Sequence, residues 1–350
     1  MAFNNNKGEL QFPYDIIDVD PKINSELLRD FTGEKTGFVQ VGPKKYFFPS
    51  KFREASYHLY NFQSRPSDVY VATFPRSGTT WTQELVWMIA NDLNYDKAKA
   101  EPLTKRFPFF EFCVFMHDQT KQELLLENQD SPEKQDFVEV VSTPGYDFLP
   151  DITEQRFIKT HLPFSLLPPS VMECKSKVIY VARNPKDVAV SYYYLNKLYR
   201  TQGYVNTFEK YWDYFEKNLN PWMPYWSHLK EGWEHRNHPN VLFMFYEDMN
   251  KDLPATIRKV ANFLKKTLND EEVTELTSYL SIENFKHNTS VNQNELKEVG
   301  ILNPNEESFV RKGKTNLKGW QKEYTPEIIE RVEKWMEINL KETDMRFPEY

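Results

Sequence analysis

Four short apolar runs punctuate the chain: residues 68–74, 156–161, 177–182 and 240–246. Each is rich in Val, Ile, Phe or Tyr with little alternation, which suits central strands of a parallel sheet buried on both faces. Between and after them the period lengthens. Trp81, Leu85, Ile89 and Leu93 recur at four-residue steps and predict a helix with one apolar face. Residues 187–199 predict another helix after the turn at Asn184-Pro185, and residues 253–266 a third with Ile257, Val260 and Leu264 on one side. Near the end, Thr325 reads as an N-cap with Pro326 at the first helical position, followed by the stripe Ile329, Val332, Met336 and Leu340. Strand–helix alternation predicts an α/β protein: a single domain with a central, mainly parallel sheet flanked by helices. Residues 1–65 are polar and irregular and read as a segment wrapping a domain of residues 66–350. Residues 113–155 are charged, broken by Asn128-Gln129-Asp130-Ser131-Pro132, and read as an insertion, either a lid or a surface excursion.

Composition narrows the classes. With 350 residues and 40% hydrophobic content the chain can bury a large core without disulfide or metal staples. Its 44 Lys and Arg against 51 Asp and Glu give a net charge of −7, which disfavours nucleic acid as a partner but leaves room for a local basic pocket. Two cysteines, Cys113 and Cys174, form no disulfide framework; with no apolar signal core in residues 1–13, a cytoplasmic protein is expected. No apolar run approaches the ~20 residues of a membrane helix. His235 and His238 lack carboxylate partners at ligand spacing, so no metal site is expected.

The densest chemical signal is Thr73-Phe74-Pro75-Arg76-Ser77-Gly78-Thr79-Thr80-Trp81. A strand followed by a turn that opens a helix points unpaired N–H groups and the positive end of the helix dipole at an anion. Gly78 permits close approach, Ser77, Thr79 and Thr80 add hydroxyls, and Arg76 adds charge. The loop is P-loop-like without being a Walker A motif: Thr79 stands in the lysine slot and Thr73 in that of the first glycine. A phosphorylated nucleotide other than a magnesium-bound triphosphate is therefore favoured. Arg183, at the end of the third apolar run, and Ser191, on the next helix, could share a phosphate, although Arg183 alone is equally consistent with a surface salt bridge. Arg311-Lys312-Gly313 is a basic turn that, by itself, is more often a solvated loop. His161, in Lys159-Thr160-His161-Leu162-Pro163, ends a strand, where open α/β sheets bind ligands; a lone histidine is more often structural. Phe107, Phe109, Phe110 and Phe112 could line an apolar pocket or belong to the core.

Together these segments resemble the cytosolic sulfotransferase family, from about residue 60 to the C-terminus. The resemblance implies transfer of a sulfuryl group from 3′-phosphoadenosine 5′-phosphosulfate (PAPS) to a hydroxyl or amine, with PAP as product and no metal required. Arg76, Ser77, Gly78, Thr79, Thr80 and Trp81 then correspond to the 5′-phosphosulfate loop, with Trp81 on adenine and Tyr246 near it. Lys159 and His161 correspond to the catalytic segment, and Arg183, Ser191, Arg311, Lys312 and Gly313 to the 3′-phosphate ligands. His161 is implied as general base, Lys159 and Arg76 as stabilisers of developing charge. The chain departs from the family in several places, among them a longer segment between Phe112 and His161 and a loosely kept adenine-contacting segment around Ser281-Ile282. Arg76 replaces the usual lysine, five residues separate Arg311-Lys312-Gly313 from Gly319-Trp320, and two of four dimer-motif residues are changed at Gln321, Thr325, Pro326 and Glu330, which counts against dimerisation by that route. The likeness is strongest to a member acting on retinol, which implies a hydrophobic alcohol as acceptor. It further implies that the allylic sulfate formed from retinol eliminates to anhydroretinol, unless the ester of some other alcohol or phenol is simply released. Two remoter readings stand beside it. One is a nucleotide kinase using Glu247 or Asp248 for Mg²⁺; the other is a non-catalytic retinoid carrier.

Overall fold

In the computed structural model, which describes residues 10–306, 309 and 319–348, the chain opens with a three-stranded antiparallel sheet. β1 (Ile16–Asp18), β2 (Phe38–Val41) and β3 (Tyr46–Pro49) pair in sequence order. Helix α1 (Pro21–Asp30) starts on Asp20, whose carboxylate accepts from the Lys22 and Ile23 amides, and α2 (Phe52–Asn61) follows β3. Residues 10–65 are thus ordered elements rather than the irregular segment expected. Phe47 and Phe48 are wholly buried, so their run is a core strand too short to show a period.

The four apolar runs form the main sheet. β4 (Val69–Thr73) is followed by α3 (Thr79–Ala90). Next comes a helical pair, α4 (Asp118–Glu127) and α5 (Pro132–Ser142), within the segment expected as an insertion. Then come β5 (Phe157–Thr160), β6 (Lys177–Ala182), α6 (Pro185–Leu198), α7 (Phe208–Glu216), α8 (Tyr225–Glu234) and β7 (Val241–Phe245). Strand order is β5-β4-β6-β7, all parallel. The fold is the α/β arrangement predicted. Helices α9 (Leu253–Leu264), α10 (Asp270–Tyr279) and α11 (Pro326–Leu340) complete the layers.

Side chains alternate across this sheet, and each face anchors a core layer. Val69, Val71, Ile179 and Val181 pack with Leu85, Ile89, Ile257 and Val260, whereas Tyr70, Ala72, Val178 and Tyr180 face the other layer. α3 is buried almost all round, not on one stripe. Its Glu84 is paired inside the protein with Arg106 at 2.8 Å and with the Tyr279 hydroxyl at 2.7 Å. Leu93 lies beyond the helix end but still packs against the same layer. In α11 the Thr325 hydroxyl accepts from the Ile328 amide; Ile328 and Val332 are buried, while Ile329, Met336 and Leu340 are half-buried.

The α4–α5 pair turns at Asn128–Ser131, and the Ser131 hydroxyl caps α5 with Pro132 at its first position. Leu124 and Val138 pack onto Leu296, Val299 and Ile301, forming a third apolar cluster that includes Phe112 and Phe309. Arg200, just after α6, bonds Glu127 at 2.7 Å and Glu123 at 2.8 Å. Asn128 donates to the Val299 carbonyl at 3.1 Å.

Candidate active site

The carboxyl ends of all four parallel strands converge, as the ligand-binding edge of an open α/β sheet requires. After β4 the chain turns sharply, with Arg76 at φ +69° and Gly78 at φ +92°. Gly78 is the N-cap of α3, and no side chain caps that helix. Helix geometry leaves the amides of Thr79, Thr80 and Trp81 without intrahelical acceptors. A Cβ on Gly78 would lie 2.6 Å from Cδ2 of Tyr246, so the loop is pressed against the end of β7. The Ser77 side chain is wholly buried, and its hydroxyl has no hydrogen-bond partner among the described residues. An orphaned donor beside an uncapped helix start fits an anionic ligand.

The second strand end carries His161. Its Nδ1 lies 2.8 Å from the Thr73 carbonyl and 3.2 Å from the Thr73 hydroxyl. A carbonyl can only accept, so Nδ1 holds the proton and Nε2 the lone pair. The Thr73 hydroxyl also bonds that of Thr79 at 2.7 Å, tying the imidazole to the phosphate loop. Phe109 and Trp222 meet the imidazole edge to face, with centroids 5.0 and 5.1 Å away. Burial, then the charge of Lys159, holds His161 well below the usual histidine range, with smaller contributions from His228 and Arg76 against the Thr73 carbonyl. It is therefore a neutral base at physiological pH. Its own carbonyl accepts from His228 Nε2 at 2.8 Å, and His228 Nδ1 is met by the Tyr180 hydroxyl at 2.7 Å.

Lys159 leans its ammonium over the Phe109 ring, 4.2 Å from the centroid. Burial pushes it down to about 8, Arg76 adding to the shift and Glu111 opposing it. Arg183, beyond β6, stacks its guanidinium 4.2 Å from the Tyr246 ring, donates to the Arg76 carbonyl at 2.9 Å and faces Asp187 at 4.0 Å. Trp81 meets Tyr246 edge to face at 5.9 Å and donates to the Leu280 carbonyl at 2.9 Å.

Sulfotransferases provide the match. The sequence pattern of the sulfotransferase domain covers residues 66–344. Luciferin sulfotransferase of Photinus pyralis is 38% identical over 319 residues, 89% of this chain and 81% of that protein. The chain belongs to the sulfotransferase family. Human sulfotransferase 1E1 is 33% identical over 286 residues, covering 82% of this chain and 88% of that one. Among solved sulfotransferase structures, retinol dehydratase bound to retinol and PAP superposes with a TM-score of 0.89 at 38% identity, over 97% of this chain and 100% of that one. A complex of retinol dehydratase with androsterone and PAP has the same score and identity, covering 97% and 99%.

Not every residue singled out from this sulfotransferase's sequence lies where it was expected. Arg76 turns its Nε to the Ser191 hydroxyl, 2.9 Å away, and rests its guanidinium 5.1 Å from the Phe309 ring. It thus bonds Ser191 and Phe309, while its charge still reaches Lys159 and His161. Phe107 packs on Phe157 in the α3 layer, and Phe110 on Phe62 in the other core layer. Phe109, bridged to Lys159 of β5, lies beside His161, and Phe112, in the short 3-10 helix that follows, lies beside Phe109 and Tyr199; these are the two at the site. Arg311, Lys312 and Gly313 lie outside the described residues.

Sequence reasoning gave no role to Glu111, Trp222 or Tyr199, and read Thr73 as the first residue of the anion-binding loop but not as the partner of His161. Glu111 carried a readable signal, a single carboxylate within Phe107-Pro108-Phe109-Phe110-Glu111-Phe112; Trp222 carried none, since 61 positions separate it from His161. Among the described residues, no cluster of three or more His, Cys, Asp or Glu side chains is placed to hold a metal ion, and no helix is long and apolar enough to cross a membrane.

Proposed function

We propose that this sulfotransferase uses PAPS to sulfate a hydrophobic alcohol, with retinol as acceptor, and that the allylic sulfate of retinol then eliminates to anhydroretinol. The observation that carries the reading is His161. Its Nδ1 is locked on Thr73, a residue of the phosphate loop, and its ring lies between Phe109 and Trp222. The donor supplies the sulfuryl group and departs as PAP. The Ser77 hydroxyl and the amides of Thr79, Thr80 and Trp81 hold its 5′-phosphosulfate, with Gly78 allowing close approach. Arg183 and Ser191, with Arg311, Lys312 and Gly313, hold the 3′-phosphate, which separates PAPS from ATP-like ligands. Trp81 and Tyr246 face the adenine; a ring contact of that kind contributes ~1–3 kcal/mol. His161 Nε2 takes the acceptor's hydroxyl proton, a role worth ~10²–10⁴ in rate. Lys159 stabilises negative charge on the group in transfer, and Arg76 adds positive charge from the loop.

Phe109, Phe112, Phe115 and Trp222 supply an apolar wall next to His161. The α4–α5 pair packs over the adjoining cluster, the position of a lid that would keep water from a reactive allylic cation. The complexes of retinol dehydratase with retinol and with androsterone support a large apolar acceptor. A second reading, release of the sulfate ester of another alcohol or phenol, is favoured by the equal 38% identity to luciferin sulfotransferase. Incubation with PAPS and a panel of hydrophobic alcohols and phenols, followed by mass spectrometry, separates them. Anhydroretinol as main product supports the first, and stable esters with retinol untouched support the second.

A further inference from the structure

Beneath the turn that carries His161 lies a wholly buried carboxylate. Glu111 Oε1 accepts from the His161 backbone N–H at 2.6 Å and from the Trp222 indole N–H at 3.2 Å, and Oε2 accepts from the Thr160 hydroxyl at 2.9 Å. That hydroxyl in turn accepts from the Leu162 amide at 3.0 Å. One side chain therefore holds the backbone from Thr160 to Leu162 together with one of the two rings flanking the imidazole. The other ring, Phe109, stands two residues upstream, on a segment that pairs with Lys159. The Lys159 amide donates to the Pro108 carbonyl at 2.9 Å, and the Phe110 amide to the Lys159 carbonyl at 2.9 Å. The Lys159 ammonium sits over that same ring. The carboxylate thus holds the turn of His161 and the Trp222 wall directly, and the neighbouring residues of its own segment pair with Lys159, at a depth where an uncompensated charge is costly.

We propose that Glu111 is a positioning residue for sulfuryl transfer: from beneath the strand end it fixes the turn that aims His161, and it acts on Lys159, which pairs with the residues beside it. The proposal rests on the reading of Lys159 as the group that stabilises transferring charge. Three charged or titratable groups face Lys159. Glu111 favours its charged form, Arg76 on the phosphate loop disfavours it, and His161 lies two residues on. Glu111 is faced by Lys159 and by Cys113, whose thiol is pushed up to about 12 by burial with Glu111 contributing. Burial pushes Glu111 itself up to about 7, against the His161 and Thr160 hydrogen bonds and the attraction of Lys159. Carboxylate and ammonium therefore both change charge close to neutral pH, where each can alter the other.

The test is a titration of Lys159 by NMR in protein carrying ¹³Cε-lysine, bound to PAP, with the resonance assigned by its disappearance in Lys159→Gln. In Glu111→Gln the Lys159 midpoint should move acidward by about one pH unit, while Glu111→Asp, which keeps the charge, should move it far less. A purely structural role would leave the midpoint in place. Steady-state rates with the alcohol turned over in the product survey give the second readout. Glu111→Gln should lower kcat more at pH 8 than at pH 6.5, with KM for PAPS unchanged and partial rescue in Glu111→Asp. An unmoved Lys159 midpoint in Glu111→Gln overturns this proposal and leaves the reading of Lys159 standing. Wild-type kcat in Lys159→Gln overturns that reading and this proposal with it. Should Glu111→Gln fail to fold, Glu111→Asp carries the test, and a midpoint displaced by a full unit in that charge-preserving variant refutes the electrostatic role.

Discussion

Gly78→Ala tests the phosphate cradle most directly, because two separate costs can be worked from the structure. At φ +92° an alanine is strained by ~1–2 kcal/mol. Its Cβ would also stand 2.6 Å from Cδ2 of Tyr246, far inside van der Waals contact. If the ring turns away, it forfeits the Arg183 guanidinium at 4.2 Å and the Trp81 edge at 5.9 Å, contacts worth ~0.5–1 kcal/mol each. The whole loss is about 2–4 kcal/mol, which for a chain of this length lowers Tm by roughly 3–5 °C. In the proposed function Arg183, Trp81 and Tyr246 lie on the nucleotide side of the site, so PAP affinity by calorimetry should fall ~10-fold or more, each tenfold being 1.4 kcal/mol. In a Tyr246→Ala background only the backbone strain remains, and the stability cost of Gly78→Ala should shrink to ~1–2 kcal/mol. An equal cost in both backgrounds refutes the ring clash, and wild-type PAP affinity in the single variant refutes the cradle.

Other expectations concern the base, the nucleotide ligand, the buried histidine and the helical pair. His161→Ala should cut turnover by ~10²–10⁴ while PAP affinity stays near wild type; Arg183→Ala should do the reverse first, weakening PAP binding by calorimetry, and unchanged affinity would remove Arg183 from the 3′-phosphate site. Burial holds His228 down at about 4 from 6.5, so its neutral form contributes stability that is present above pH 6.5 and lost as pH falls toward 4. The gap in unfolding free energy, by urea titration, between wild type and His228→Gln should accordingly close over that window by an amount on the order of 3 kcal/mol, and a constant gap contradicts the sign. Arg200→Ala removes partly exposed ion pairs to Glu123 and Glu127, each worth only ~0.2–1 kcal/mol. Hydrogen exchange should quicken in residues 118–142 with little change in Tm; unchanged protection there would mean that Leu124 and Val138 alone hold the pair.

Four strands, the loop after the first of them and the basic residues at their ends were legible because each depends on local chemistry. A continuous apolar run such as Lys177–Ala182 suits a strand buried on both faces, and Arg76-Ser77-Gly78-Thr79-Thr80 states its anion-binding geometry in consecutive residues. Capping was equally local, as Thr325 and Pro326 at the start of α11 illustrate. Tertiary structure decided what depends on distant partners. Tyr46–Pro49 became a core strand through pairing with β2 and through the exchange of hydrogen bonds between Phe47 and the Trp222–Met223 segment. Which Phe of the 107–112 run faces His161 was set by the single bridge that pairs Phe109 with Lys159 of β5. Where Arg76 points is marked by the Ser191 hydroxyl and the Phe309 ring, 115 and 233 positions away in the chain. Glu111 became the support of the catalytic turn only when the fold brought Thr160, His161 and Trp222 onto its two oxygens. Sequence order specifies what each short stretch can do by itself; a hydrogen bond or ring contact across dozens of residues exists only once the core has closed around it.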